Sequence, residues 1–276
     1  MKVKVVVDST SYLSREALER YDIKVVPLLV TLGEETFREG TVYTNAEYYG
    51  RLRKVKIFPR TSQPAAGDFL EVFQGFEKGS EVICVLISEM MSGTVQSAET
   101  AASMVEGVRV TVFDSRSVAM GTGFLSLRAA EMADQGASME EIVEELVRIR
   151  SKLKVFFVVD NLEYLVRGGR LSKTQGLLGN LLLVKPILYV NDGKIELFEK
   201  VRTRQKAIAR ILEELTRDVE KSQVEKVCVA HVDALNEALE LKEKVNNIYK
   251  GPLTLEEAGP VVGSHSGPGT VGLVYY

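Results

Sequence analysis

Val82-Ile83-Cys84-Val85-Leu86-Ile87-Ser88-Glu89-Met90-Met91-Ser92-Gly93-Thr94 is the stretch that decides the fold. Its apolar run is too short for a helix. It is too continuous for a strand with one wet face, so it reads as a strand buried on both sides. A polar turn follows, and then a helix-period segment over residues 93–105. The same order recurs outward in both directions. Residues 3–7 read as a strand and 14–21 as a helix, 108–113 as a strand and 119–135 as a helix. Ser138 and Glu141 form a capping box for a helix ending near Lys152, and residues 155–159 make a further strand. Strands separated by helices imply right-handed crossovers and a parallel sheet.

Residues 23–30 are strand-like, with Pro27 marking an edge or a bulge. Pro64 is expected at the first position of a helix running to about Lys78. Beyond residue 160 the pattern changes. Asn191-Asp192-Gly193 marks a hairpin turn between strands at 186–190 and 195–201. Thr203 caps a long helix, residues 224–231 read as a strand, and 234–247 as a helix. Short strands are expected at 253–256, 261–263 and 270–275. The expected class is α/β: an open parallel-sheet α/β domain over residues 1–155, and an α+β domain over 156–276, with a ligand in the cleft between them.

The 276-residue chain carries a net charge of −3, which argues against nucleic acid as a partner. Cys84 and Cys228 each sit in an apolar run and read as buried strand residues rather than a disulfide pair. The apolar stretch 177–190 is interrupted by Asn180 and Lys185-Pro186, too short and broken for stable membrane insertion. A cytoplasmic location is expected. His231 and His265 stand without cysteine or histidine neighbours at ligand spacing, so no metal site is expected.

In an open parallel sheet, ligands bind beyond the carboxyl ends of the strands. Polar clusters fall there at Asp8-Ser9-Thr10, Thr61-Ser62-Gln63, residues 88–94 and Asp114-Ser115. Two of them, Thr61-Ser62-Gln63-Pro64 and Ser92-Gly93-Thr94, also open helices. Helix N-termini offer unpaired N–H groups, and adjacent hydroxyls can donate to an anion. Plain helix capping explains either cluster alone, because Ser and Thr are favoured caps. Two such loops ending neighbouring strands point to a shared anionic ligand.

Gly168-Gly169-Arg170-Leu171-Ser172-Lys173-Thr174 misses the phosphate-binding loop pattern and follows a helix rather than a strand. The tandem glycine is expected to end that helix and to aim Arg170. Gly263-Ser264-His265-Ser266-Gly267-Pro268-Gly269 is glycine-dense enough to form an anion nest around His265. Gly121-Thr122-Gly123 lacks the strand-turn context of a dinucleotide fingerprint. A hydrolase or phosphoryl-transfer enzyme using Ser92 and His265 is the alternative from the enzyme class, although Gly-x-Ser-x-Gly is absent. A phosphate-metabolite sensor built on residues 263–269 is another.

Several of these segments together resemble the DegV family of bacterial fatty-acid-binding proteins. The matching runs are Thr61-Ser62-Gln63-Pro64, Ser92-Gly93-Thr94-Val95-Gln96-Ser97-Ala98, Asp8-Ser9, Asp114-Ser115, Tyr164-Leu165-Val166-Arg167-Gly168-Gly169-Arg170, Lys185-Pro186-Ile187-Leu188 and the residues from Gly259-Pro260 through Gly269. Two places depart from the pattern: His231-Val232-Asp233, so that His231 receives no role, and Glu89-Met90 ahead of Ser92. The resemblance implies a lipid-binding protein rather than an enzyme, with no cofactor. A long-chain fatty acid such as palmitate would lie between the domains. Its carboxylate would be held by Thr61, Ser92 and Gly93. Ser62, Thr94, Arg170 and His265 would lie near the headgroup or face a partner. That partner would be an ATP-binding fatty acid kinase subunit, to which the carboxylate is presented. Residues 177–184 are a candidate wall for the acyl chain, or ordinary core.

Overall fold

The computed structural model describes residues 2–55, 57–171 and 185–276. In chain order the first half runs β1 (Lys4–Asp8), a 3-10 turn (Ser9–Ser11), α1 (Arg15–Arg20), β2 (Lys24–Val26), β3 (Leu29–Leu32), β4 (Glu35–Arg38), α2 (Asn45–Leu52), β5 (Arg60–Ser62), α3 (Ala66–Gln74), β6 (Glu81–Leu86), α4 (Thr94–Met104), β7 (Arg109–Asp114), α5 (Met120–Asp134) and α6 (Met139–Lys152). Then come β8 (Lys154–Val158), α7 (Glu163–Gly168), β9 (Lys185–Asn191), β10 (Lys194–Val201), α8 (Arg204–Glu220), β11 (Val227–Val232), α9 (Leu235–Ile248), β12 (Leu253–Glu257), α10 (Pro260–Ser266) and β13 (Thr270–Tyr275).

The chain is α/β, as its alternating pattern requires. A parallel four-stranded sheet has the order β2-β1-β6-β7, and a mixed six-stranded sheet the order β10-β9-β8-β13-β11-β12. Strand alternation sorts the core. Val5 and Val7 of β1 face the layer of α5 and α6, and Val6 faces α3 and α4. In the six-stranded sheet, Val155 and Phe157 face α5 and α6, whereas Phe156 and Val158 face α8 and α9. Helices α5 and α6 therefore lie between the two sheets. Gly123 of α5 rests on the Ser11 carbonyl so closely that a Cβ would collide with it. The Gly121-Thr122-Gly123 run thus serves helix packing. Cys84 and Cys228 are buried on β6 and β11 with free thiols.

Five expectations change. Residues 23–30 are not one strand: Pro27 divides β2, parallel to β1, from β3, which turns away into an antiparallel three-stranded sheet, β4-β3-β5. Thr61 itself lies in β5 of that small sheet rather than beyond the end of a parallel strand, so it reaches the site from outside the parallel sheet. Pro64 precedes the helix, and α3 begins at Ala66 behind Ala65, whose N–H donates to Asp68 Oδ2 at 2.8 Å. Residues 155–159 were read with the parallel strands. Instead β8 pairs antiparallel with both β13 and β9 in the six-stranded sheet.

The largest change is at residues 261–263, expected as a strand and found inside helix α10. Pro260 stands at its first turn, where a missing N–H costs nothing. The free N–H groups behind it find tertiary acceptors: Val261 donates to Glu39 Oε1 at 2.7 Å and Val262 to Tyr12 Oη at 3.1 Å. These acceptors override the β-preference of the two valines. Residues 172–184, including Ser172-Lys173-Thr174 and the candidate wall 177–184, lie outside the described residues.

Candidate functional site

A cavity opens where the two main sheets and the small sheet meet. Thr61, Ser92, Arg170 and His265 all line it, and most of its remaining wall is apolar, from Leu28, Ile87 and Val118 to Val155, Val261 and Val274. Four distant segments thus deliver two hydroxyls, a guanidinium and an imidazole to one apolar chamber.

Each polar group has a local reason for its place. Thr61 sits in β5, paired with Val30 of β3. Ser92 lies in the turn after β6, where its N–H and that of Met91 both donate to the Ser88 carbonyl. Its hydroxyl lies 2.8 Å from Thr94 Oγ1 at the start of α4. Arg170 follows α7, which ends on Gly169 in the left-handed region at φ 68°. The turn sends the guanidinium back over the helix end. Its Nη1 donates to the Gly168 carbonyl at 2.5 Å and its Nε to the Met91 carbonyl at 3.2 Å. His265 lies in the last turn of α10.

Thr61 Oγ1 lies 2.7 Å from His265 Nε2. His265 Nδ1 is buried and finds no partner among the described residues. An unpaired acceptor is tolerated better than an unpaired N–H. With the proton on Nε2 the ring would donate to Thr61 and leave the threonine hydroxyl free to donate elsewhere. Burial, reinforced by the Arg170 charge, pushes His265 down to about 4, so the ring is neutral at pH 7. Burial also lowers Arg170 from the usual guanidinium range. Among the described residues Arg170 forms no ion pair with a carboxylate. It is a half-buried cation facing an apolar chamber, and among the described residues it donates to the Gly168 and Met91 carbonyl oxygens.

Other sequence-selected residues stand apart. Gly93 precedes α4 and does not line the cavity; it packs on the Gln63 amide, joining the two hydroxyl loops. Ser62 is exposed and Thr94 is buried behind Ser92. Residues 263–269 are mostly helix rather than an open nest, and only Gly267 and Gly269 have positive φ. Asp8 accepts from the N–H groups of Thr10 and Ile87, tying β1 to β6. Asp114 Oδ1 accepts from the Arg116 N–H at 2.9 Å. These carboxylates hold loops together. No group of side chains among the described residues could hold a metal ion.

Two residues went unmarked in the sequence. His231 lines the cavity, and its Nδ1 accepts from the Ala234 N–H at 3.3 Å, closing the turn into α9. Glu39 is buried against Ser9, Tyr12 and the start of α10, and burial raises it to about 7. A glutamate in an exposed-looking Arg-Glu-Gly turn carries no local signal for this, because its partner helix is more than two hundred residues away.

The fold is thus a three-sheet α/β protein with an apolar chamber whose wall carries hydroxyl, imidazole and guanidinium groups. The chain belongs to the DegV family: the family model, described as the DegV family of uncharacterised proteins, matches residues 2–276. A DegV domain-containing protein of Listeria monocytogenes is 38% identical over 280 residues, covering 99% of this chain and 98% of that one. A DegV family protein from Thermus thermophilus, described for its fatty acid binding, has the same fold with a TM-score of 0.92 and 35% identity, covering 100% of this chain and 99% of that one. A stearic acid-binding protein from Eubacterium ventriosum has a TM-score of 0.91 and 31% identity, covering 99% and 98%. Among the described residues no helix is long and apolar enough to cross a membrane.

Proposed function

We propose that this protein binds a long-chain fatty acid, its carboxylate at Thr61, Ser92 and Arg170 and its acyl chain along the apolar cavity. The observation that carries this reading is Arg170, a cation without a carboxylate partner among the described residues, placed at an otherwise apolar chamber. A carboxylate there would complete the ion pair and accept from the hydroxyls of Thr61 and Ser92. The fatty-acid-binding relatives from Thermus thermophilus and Eubacterium ventriosum support the same ligand class. Each buried methylene contributes about 0.8 kcal/mol. The tail therefore dominates affinity, and the polar cluster fixes which end enters first.

Residues on both sides of the boundary expected between 155 and 156 line the cavity, among them Ser92 and Val118 before it and Val261 and Val274 after it, which supports a ligand held between the two halves. The polar cluster binds and orients an anion. Phosphorylation of the bound carboxylate would require a donor brought by a separate ATP-binding subunit, the arrangement implied by the family resemblance. A Ser92–His265 hydrolase is less well supported, because His265 Nε2 is engaged by Thr61 and Ser92 by Thr94.

Native mass spectrometry of the protein purified from bacteria tests the binding reading. An added fatty-acid mass is expected, and it should fall in Thr61→Val and Arg170→Gln. Protein that carries no such mass and takes up neither palmitate nor oleate defeats the reading. Adding ATP and a kinase subunit to loaded protein should yield acyl-phosphate, and none should form without that subunit.

A further inference from the structure

The far end of the cavity has a second neighbour. β13 lays Thr270, Gly272 and Val274 along the cavity on one face, about 13 Å from end to end at the usual strand rise. Thr270 marks the headgroup end, since its Oγ1 donates to the Ser266 and Gly267 carbonyls at the close of the helix that bears His265. Gly272 is paired with Phe157, and a Cβ there would strike the Phe157 side chain. Gly272 therefore adds no side chain of its own to the middle of the floor, and Phe157 packs beside it. Val274 is paired with Val155, which puts Val155 at the end remote from the carboxylate cluster.

Val155 also lines a different space. A polar cleft lies between the end of α6, the β7–α5 loop and the β9–β10 turn, and its wall includes Arg116, Ser117, Arg150 and Val155. Arg150 Nη1 donates to the Asp114 carbonyl at 2.7 Å, and its guanidinium lies 4.7 Å over the Phe113 ring. Arg116 is paired with Asp192 at 2.7 Å. On one side of Val155 is a lipid-compatible chamber, and on the other a charged cleft. Val118, next in sequence to Ser117 of the cleft, lines the chamber at the same partition.

We propose that Val155 is the chain-length stop of the acyl cavity, a thin partition whose far side is an arginine-bearing cleft. The inference rests on the fatty-acid reading above. A chain that fits ends its methyl group against Val155. A longer chain must either fold back in the cavity or push its terminal carbons past Val155 toward Arg116 and Arg150, where water and guanidinium groups replace apolar contact. The limit is thus set by shape and by the loss of the hydrophobic gain for each methylene beyond it.

Affinities of laurate, palmitate, stearate and arachidate for the wild type, Val155→Ala and Val155→Leu test this. Shortening the side chain should move the preferred acid toward arachidate, improving the arachidate-to-palmitate affinity ratio roughly three- to tenfold. Lengthening it should move the preference toward laurate. A general loss of packing would weaken all four acids together, so the ratio isolates the stop. If Val155→Ala does not fold, the shift in Val155→Leu decides. Length profiles that stay at the wild-type ratios overturn the proposal, while failure of the wild type to bind any of the acids overturns the fatty-acid reading itself.

Discussion

Thr61 Oγ1 and His265 Nε2 lie 2.7 Å apart although 204 residues separate them in sequence. One comes from the small antiparallel sheet and the other from the helix just ahead of the last strand. The headgroup end therefore exists only when three sheets are assembled, and its chemistry can be perturbed from either partner.

Removing a hydroxyl should show chiefly in binding. A hydrogen bond to a charged group contributes about 1.5–3 kcal/mol. Thr61→Val and Ser92→Ala should each weaken fatty-acid affinity by about that amount, measured by calorimetry. The Ser92→Ala midpoint should change little, since α4 starts without a side-chain cap, whereas Thr61→Val also leaves His265 Nε2 without its partner and should lose some stability as well. A large drop in midpoint with unchanged affinity would assign the hydroxyls to scaffolding.

Arg170→Gln should act twice. It removes the cation that a bound carboxylate would meet, so affinity falls. It also removes the charge that helps depress His265, so the imidazole should titrate higher than its present value of about 4. Burial is the larger cause of that depression, so the rise should be partial. The histidine ring protons read this directly by NMR. Loading the wild type with fatty acid should move the same signal upward, because a carboxylate offsets the Arg170 charge.

Two glycines separate steric tolerance from function. A Cβ on Gly93 would collide with the end of the Gln63 side chain, which is exposed and can swing away. A Cβ on Gly168 would collide with His265 Nδ1. That ring is buried and fixed to Thr61, so Gly168→Ala must displace the imidazole. Gly168→Ala should lower affinity several-fold, and Gly93→Ala should leave it near wild type. Equal effects would show that His265 does not organise the headgroup end.

The two buried titrating groups give opposite pH dependences. His265 stays neutral in the folded state down to about 4, whereas the unfolded ring protonates from 6.5 downward. Its contribution is full above that window and is lost as pH falls through it. Glu39 is raised to about 7 from an ordinary 4.5. The folded state then holds the extra proton, so stability is lost as pH rises from 4.5 through 7. Asp8, Tyr12, Tyr48 and Tyr49 are titratable groups around it. Urea unfolding across this range should show a flatter loss on the alkaline side in Glu39→Gln, and on the acid side in His265→Phe.

Much of this was legible from local pattern. The strands around Val5 and Ile83 announced themselves because parallel strands buried on both faces are apolar without alternation. Thr61, Ser92, Arg170 and His265 were each visible as polar residues at turns. What the pattern hid was non-local. Val261-Val262 has strand composition and becomes helical because Glu39 and Tyr12 accept its N–H groups. Leu29 continues the apolar run of Val25-Val26, yet Pro27 sends it to another sheet. His231 carried no role in the sequence and is buried, with its ring closing a turn.

The placement of β13 has a kinetic side. It pairs with β8 across a sequence gap of more than a hundred residues, Val271 lying opposite Val158, and separates β8 from β11. Such closure is entropically late, so folding should pass through species that have their helices but no floor beneath the acyl chain. A lipid cannot stabilise those species. If the acyl chain binds as proposed, its full binding free energy falls on the finished molecule alone, so occupancy would report complete assembly and the empty protein would be the form most exposed to proteolysis.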